Sequence, residues 1–212
     1  MKTSEILKAT LLLVPAIAWA EGNNEQKKPN IVFILSDDAG YADFGFQGSK
    51  QFETPNLDKL AENGMILHQM YTTDAVSGPS RAGLMTGRYQ QRFGIEENNV
   101  VGYMSKHGKY GLDMGVPTSE KFISNYLSES GYVCGAFGKW HLGATDEYHP
   151  YRRGFDHFVG FRSGGRDYYS YNNREKSFAD EGVEKKLEYG FAHFKEPDKY
   201  MTYLLADEAC KF

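Results

Sequence analysis

One stretch decides the fold class: Ile31-Val32-Phe33-Ile34-Leu35-Ser36-Asp37-Asp38, in which five apolar residues lead into a serine and two aspartates. A continuous apolar run of this length is typical of a strand that is buried on both faces, as strands of parallel sheets are. We therefore predict a strand at residues 31–35. Further strands are predicted at residues 65–71 and 132–137.

Proline and glycine mark the helices between these strands. Thr54-Pro55 predicts the start of a helix that Gly64 ends, since proline suits the first helical turn and glycine the position after the last. Pro117-Thr118 predicts a second helix, which runs to about Ser130. Another helix is predicted at residues 200–212 from its helical spacing of apolar side chains. Strands that alternate with helices indicate an α/β fold with a mainly parallel sheet.

A further helix start lies in Ser77-Gly78-Pro79-Ser80-Arg81-Ala82-Gly83-Leu84-Met85-Thr86-Gly87. Pro79 fits the first helical position and Gly87 can end the helix. Ser77 would then precede the helix N-terminus, where backbone N–H groups and the dipole attract anions. Arg81 lies four residues on and can face the same side. The segment suits an oxygen nucleophile facing a sulfate or phosphate ester, although an ordinary capped helix with a surface arginine has the same pattern.

Two adjacent carboxylates, Asp37 and Asp38, follow the first predicted strand. Carboxylates at the end of a buried strand are unfavourable unless a cation or hydrogen bonds satisfy them. Hard divalent ions such as calcium prefer carboxylate oxygens, which makes this pair a candidate metal site. The alternative is a turn in which one aspartate caps the following segment.

A lysine and a histidine, Lys139 and His141, follow the strand predicted at residues 132–137, with Gly138 and Gly143 on either side. Glycines allow tight bends and close approach of a ligand. Lysine can neutralise an oxyanion, and histidine can move a proton; a surface lysine and a packed histidine are the alternative.

Ligands of parallel α/β sheets bind beyond the carboxyl ends of the strands. The side chains that follow predicted strands, and are expected to converge there, are Asp37, Asp38, Ser77, Lys139 and His141.

Composition excludes some classes of function. The 212 residues carry a formal net charge of −4 and contain no basic run, which argues against nucleic-acid binding. The length allows one sizeable core and makes two full domains unexpected. The cysteines are Cys134 and Cys210. An oxidising compartment would permit a disulfide between them, but Cys134 lies in an apolar run, where a buried free thiol is the common state.

The first twenty residues have the pattern of a secretory signal peptide. Lys2 and Lys8 supply positive charge, residues 11–20 are mostly apolar, and Ala18-Trp19-Ala20 forms a cleavage site. The apolar run is too short to span a bilayer, so no stable membrane insertion is predicted. A polar leader follows at residues 21–29. We expect an exported protein, periplasmic or secreted.

Taken together, these segments resemble the sulfatase family within the alkaline-phosphatase-like superfamily. The matching stretches, in chain order, are Pro29-Asn30-Ile31-Val32-Phe33-Ile34-Leu35-Ser36-Asp37-Asp38, Thr54-Pro55-Asn56-Leu57-Asp58-Lys59-Leu60-Ala61, Ser77-Gly78-Pro79-Ser80-Arg81, Gly138-Lys139-Trp140-His141-Leu142-Gly143 and Arg153-Gly154-Phe155-Asp156. The resemblance implies an alkaline-phosphatase-like sandwich with a mainly parallel central sheet. Residues 30–212 would form the N-terminal part of a sulfatase catalytic domain.

The resemblance also implies an activity, the hydrolysis of sulfate esters, and we expect esters of carbohydrates. Ser77 would be oxidised after translation to formylglycine by a radical-type, serine-oxidising maturase. The aldehyde hydrates to a diol, one diol oxygen attacks the sulfate sulfur, and the second later expels sulfate. By the same resemblance, calcium would be bound by Asp37, Asp38 and an oxygen of modified Ser77. Arg81 would hold the diol, Lys139 the sulfate, and His141 diol or sulfate oxygens.

Two other readings of the sequence remain. Family members are usually longer, and nothing after Phe161 offers the aspartate-asparagine or aspartate-histidine pair that completes their metal site. We therefore expect a chain truncated at its C-terminus, with weak metal binding and little activity, which could be an inactive sulfatase fragment. The other reading is a phosphatase or phosphodiesterase of the same superfamily that uses unmodified Ser77 directly as its nucleophile.

Overall fold

The computed structural model describes residues 27–98, 115–166, 168, 187–195 and 197–212. The predicted signal peptide and residues 21–26 of the predicted leader lie outside the described residues. The chain divides into two units between Ser36 and Asp37. In the first unit, residues 27–36 form neither helix nor strand. Nowhere in the described ranges is a helix both long and apolar enough to cross a membrane.

The second unit contains the helices and strands of the described chain. The α-helices are α1 (Pro55–Glu62), α2 (Ser77–Thr86), α3 (Ile123–Glu129) and α4 (Met201–Lys211). The strands are β1 (Gly135–Lys139), β2 (His157–Phe161), β3 (Leu187–Tyr189) and β4 (Phe194–Lys195). They form one sheet in the order β1-β2-β3-β4. The β1–β2 pair is parallel, with Ala136 opposite Phe158, whereas β2–β3 and β3–β4 are antiparallel.

The predicted α/β class is confirmed, but two of the three predicted strands are wrong. The strand expected at 132–137 occurs as β1, shifted towards the C-terminus. Residues 31–35 and 65–71 form no strand, and the side chain of Val32 is 82% exposed. An apolar run indicates a tendency to be buried, whereas a strand also needs a hydrogen-bonded neighbour. No described strand pairs with either run, and the described part of the sheet is mixed rather than mainly parallel.

The helix predictions succeed where the boundary signal is local. Pro55 occupies the first turn of α1, and α4 covers most of the predicted terminal helix. The helix predicted from Pro117 begins only at Ile123. The guanidinium of Arg153 donates hydrogen bonds to backbone carbonyls of the preceding turn, including that of Glu120 at 2.9 Å. These bonds hold the turn outside the helix.

The core lies beside the end of β1. Phe122 and Trp140 are buried with ring centroids 5.8 Å apart, and Phe155 meets Trp140 edge-on at 5.7 Å. Trp140 Nε1 donates to the Tyr148 carbonyl at 3.0 Å. Burial of a side chain such as Phe122 contributes about 1.5–3 kcal/mol. Because Trp140 is anchored in this core, its two chain neighbours are held in place at the end of β1.

The two cysteines are unpaired. Cys134 is buried and Cys210 is exposed, and both are free thiols. Burial, reinforced by the nearby Asp156 carboxylate, raises the pKa of the Cys134 thiol. The buried-thiol alternative therefore holds for Cys134, and no Cys134–Cys210 disulfide is formed.

Candidate active site

The helix that carries the candidate nucleophile begins two residues earlier than predicted. Val76 is the N-cap of α2, so Ser77 is the first helical residue and Pro79 the third rather than the first. The first helical hydrogen bond runs from the Ser80 N–H to the Val76 carbonyl at 3.1 Å. Pro79 therefore still lies among the positions whose N–H groups have no helical acceptor. Gly87 ends the helix with a φ of 64°, as predicted.

The Ser77 hydroxyl is surrounded by side chains from three segments of the chain. Its Oγ lies 3.2 Å from Arg81 Nε, 3.3 Å from His141 Nδ1 and 3.5 Å from Asp37 Oδ1. Arg81 is one turn further along the same helix, while Asp37 and His141 come from distant loops. The structure thus brings the predicted nucleophile together with a carboxylate, a guanidinium and an imidazole.

Asp37 is held between two cations. Lys139 Nζ donates to Asp37 Oδ2 at 2.8 Å, and Arg81 Nη2 donates to Asp37 Oδ1 at 3.0 Å. Partial burial would raise the pKa of Asp37, but the hydrogen bonds and charges of Lys139 and Arg81 outweigh it and lower that pKa. The carboxylate is therefore ionised. The three side chains leave one uncompensated positive charge beside Ser77, which favours an anionic ligand.

Lys139 and His141 reach the site because they flank the anchored Trp140. β1 ends at Lys139, and His141 takes a left-handed φ of 58° with its N–H donating to the Arg162 carbonyl at 3.2 Å. The His141 side chain is buried. Burial, together with the charges of Lys139 and Arg81, lowers the pKa of His141 to about 4. At neutral pH the imidazole is therefore uncharged and able to accept a proton from an oxygen.

Two glycines allow this close packing. An added Cβ on Gly160 of β2 would lie 2.0 Å from the Gly138 carbonyl oxygen, so the two strands approach as closely as they do only because a side chain is absent. An added Cβ on Gly164 would lie 2.7 Å from His141 Nε2. Gly164 therefore forms the wall against which the imidazole rests.

One residue near the nucleophile was missed by sequence reasoning. Asn98 Oδ1 accepts the Gly78 N–H at 2.8 Å, which satisfies a donor at the start of α2. No local motif marks Asn98, because it acts on a helix twenty positions earlier. One N–H group of the helix N-terminus, that of Gly78, is thus occupied by Asn98 and not free for an anion. The positive charge of the site comes from Arg81 and Lys139.

The candidate calcium ligands fit the ion in kind but not in number. Asp37, Asp38 and the Ser77 oxygen are hard oxygen donors, and calcium takes six to eight of them. Asp38 has a left-handed φ of 55°, and its side chain makes no hydrogen bond or ion pair with another described residue. Among the described residues there is no group of three or more histidine, cysteine, aspartate or glutamate side chains that could hold a metal.

The family model described as Sulfatase matches residues 29–212 of this chain. N-acetylgalactosamine-6-sulfatase of Canis lupus familiaris is 37% identical over 150 residues, which cover 71% of this chain and 28% of that protein. Arylsulfatase G of Homo sapiens is 39% identical over 139 residues, covering 66% of this chain and 25% of that protein. The chain thus spans less than a third of the length of these relatives.

Solved structures give the same result. Ps i-CgsB, solved in complex with k-i-k-neocarrahexaose, is 41% identical with a TM-score of 0.74, over 88% of this chain and 41% of that one. The PsFucS1 sulfatase from Pseudoalteromonas sp. is 34% identical with a TM-score of 0.54, over 64% of this chain and 26% of that one. These likenesses confirm the alkaline-phosphatase-like α/β fold. The chain belongs to the sulfatase family.

Proposed function

We propose that this chain carries the nucleophile side of an active site that hydrolyses sulfate esters of carbohydrates, with Ser77 oxidised to formylglycine. The observation that carries the proposal is the position of Ser77 Oγ, within 3.5 Å of Asp37, Arg81 and His141. A carbohydrate ester is supported by the names of the relatives, an N-acetylgalactosamine-6-sulfatase and a structure holding a neocarrahexaose. When present, formylglycine supplies a hydrated aldehyde oxygen as nucleophile.

Arg81 and Lys139 would bind the sulfate group and stabilise the charge that develops on it. Their side chains are only 13% and 12% exposed, so water screens them weakly. Arg81 Nη1 also donates to the Lys139 backbone carbonyl at 3.0 Å, which fixes the guanidinium against the end of β1, and Asp37 Oδ2 holds the Lys139 ammonium at 2.8 Å. Donors that are fixed before reaction stabilise a transition state more than donors that must reorganise.

His141 would move the proton. Its Nδ1 is 3.3 Å from the Ser77 oxygen, and its lowered pKa of about 4 keeps the ring neutral at physiological pH. A neutral imidazole can take the proton of the attacking oxygen, and it can return that proton to the departing alcohol. The same ring can also contact an oxygen of the sulfate.

Calcium would be held by Asp37, Asp38 and an oxygen of residue 77, with substrate oxygen and water in the remaining positions. The ion would supply positive charge at the sulfate oxygens. Because three protein donors are few, this chain by itself would bind calcium weakly. Export by way of residues 1–20 and oxidation by a serine-oxidising maturase are further parts of the proposal.

The proposal is tested by mass spectrometry of the peptide that contains Ser77. The chain is produced with and without a serine-oxidising maturase, and Ser77→Ala provides the matched control. We expect loss of two hydrogens at Ser77 only when the maturase is present. An unmodified Ser77 from a maturation-competent host contradicts the formylglycine mechanism and would instead favour a phosphatase or phosphodiesterase with a direct serine nucleophile.

A further inference from the structure

A buried ion pair lies behind the candidate active site. Arg162, which follows β2, faces Glu188 of β3 with two parallel hydrogen bonds, Nε to Oε2 at 2.7 Å and Nη2 to Oε1 at 2.6 Å. The side chains are 7% and 1% exposed. Paired bonds of this kind set the orientation of a guanidinium as well as its position.

The Glu188 carboxylate is held from other sides as well. It accepts the Ala192 N–H at 2.8 Å, and Oε1 lies 3.4 Å from Nε2 of the fully buried His149. The other ring nitrogen of His149, Nδ1, accepts the Tyr151 N–H at 3.1 Å, so the proton of a neutral ring is on Nε2, facing Glu188. Glu188 is therefore a fixed anchor for Arg162.

Arg162 in turn holds the loop that carries His141. Its Nη1 donates to the Ala144 carbonyl at 3.1 Å and to Asp146 Oδ1 at 2.8 Å. Its own carbonyl accepts the His141 N–H at 3.2 Å. One residue thus binds the loop at His141 and again three residues later. A left-handed histidine persists only where its surroundings hold it in that conformation.

We propose that Arg162 and Glu188 are positioning residues for His141, holding its imidazole against the oxygen of residue 77. This inference rests on the proposed function, because that function gives the position of the imidazole its catalytic importance. The contacts from which it is argued involve neither the modification of residue 77 nor the metal. A buried ion pair by itself is weak support for stability, since apolar replacements are often as stable. Its link to the strained loop is what indicates a positioning role.

Amide hydrogen exchange of the full chain, followed by NMR at one fixed pH, tests the inference. In Glu188→Gln and Arg162→Lys we expect exchange of the His141 amide to rise about tenfold relative to that of the Gly87 amide. The Gly87 N–H donates to the Gly83 carbonyl of α2 and so serves as the internal reference. The ring signals of His141 should shift in the same variants. Equal acceleration of both amides, with unchanged ring signals, would show a merely structural pair and overturn the inference.

The matched control is Arg153→Lys. Arg153 is also buried and also binds backbone carbonyls, but those of the turn before α3, and its guanidinium lies 4.0 Å from the Phe122 ring centroid. It should destabilise the protein without a selective effect at His141. If Glu188→Gln fails to fold, Asp146→Ala removes an exposed partner of Arg162 and should raise His141 exchange about threefold. No rise in that variant also overturns the inference, whereas an unmodified Ser77 would affect only the proposed function.

Discussion

Lys139 Nζ lies 2.8 Å from Asp37 Oδ2, although 102 positions separate the two residues in the chain. The contact joins the end of β1 to the segment that opens the second unit. With Arg81 on the other carboxylate oxygen, it places two cations beside Ser77. The site is therefore organised as an anion receptor by contacts of the described residues alone.

Removal of one cation should weaken anion binding. We predict that Lys139→Ala lowers the affinity for inorganic sulfate about tenfold, because a weakly screened ammonium is lost. Isothermal titration calorimetry measures the change. Lys121→Ala is the control, since Lys121 is 54% exposed and pairs with Glu129 at the surface. Equal affinities of wild type and Lys139→Ala would contradict the anion receptor.

The parts of the site that could be predicted are those with a local signal. Lys139 is the last residue of β1 and His141 follows it, so both lie at the carboxyl end of a strand, where ligands of α/β sheets bind. Ser77 and Arg81 share one helix face, and Gly87 marks the end of that helix. The spacing of these residues is enough to place them, because one element carries each pair.

The parts that could not be predicted depend on partners far away in the chain. The apolar run at residues 31–35 carries no information about which strand would pair with it. Asn98 and Glu188 act on segments with which they share no motif, and α3 starts late because of Arg153. Non-local hydrogen bonds of this kind leave no periodic pattern in the sequence.

Protonation of Glu188 should lower the stability of the protein in acid. Burial would raise the pKa of Glu188, but its contact with His149 and its hydrogen bonds from Arg162 and Ala192 lower it to about 2 from the ordinary 4.5. A carboxylate with a lowered pKa stabilises the fold above its unfolded pKa and loses that effect as pH falls. The contribution is thus complete above about pH 5 and lost between about pH 4.5 and pH 2.

Urea unfolding from about pH 7 down to about pH 3 measures this dependence. We expect Glu188→Gln to be less stable than wild type by on the order of 2–3 kcal/mol at neutral pH, with the difference shrinking below about pH 4.5. A difference that stays constant over the whole range would mean that the pKa of Glu188 is the same in the folded and unfolded states, which contradicts the prediction.

The conformation of His141 predicts which replacements it tolerates. Asparagine enters the left-handed region more readily than other side chains, whereas a β-branched residue is strained there by about 1–3 kcal/mol. His141→Asn removes a buried ring but keeps a side chain suited to this backbone, so it should unfold at lower urea concentration than wild type but at higher concentration than His141→Val. In protein with oxidised residue 77, His141→Asn should lower kcat for a sulfate ester about 100-fold or more. Undiminished hydrolysis by His141→Asn would exclude the ring from proton transfer.

Alanine substitutions at two adjacent glycines, Gly164 and Gly165, test the packing of the His141 imidazole. Neither Gly164 nor Gly165 has a left-handed φ, so alanine is compatible with the backbone at both positions. A Cβ at Gly164 would lie 2.7 Å from His141 Nε2, whereas a Cβ at Gly165 would have nothing within 4 Å.

Gly164→Ala must displace the imidazole, which should lower the free energy of unfolding by about 1–3 kcal/mol and shift the ring signals of His141. Gly165→Ala should change stability by less than about 0.5 kcal/mol and leave those signals in place. If the two alanine variants have the same stability and the same His141 spectrum, the imidazole does not rest against Gly164.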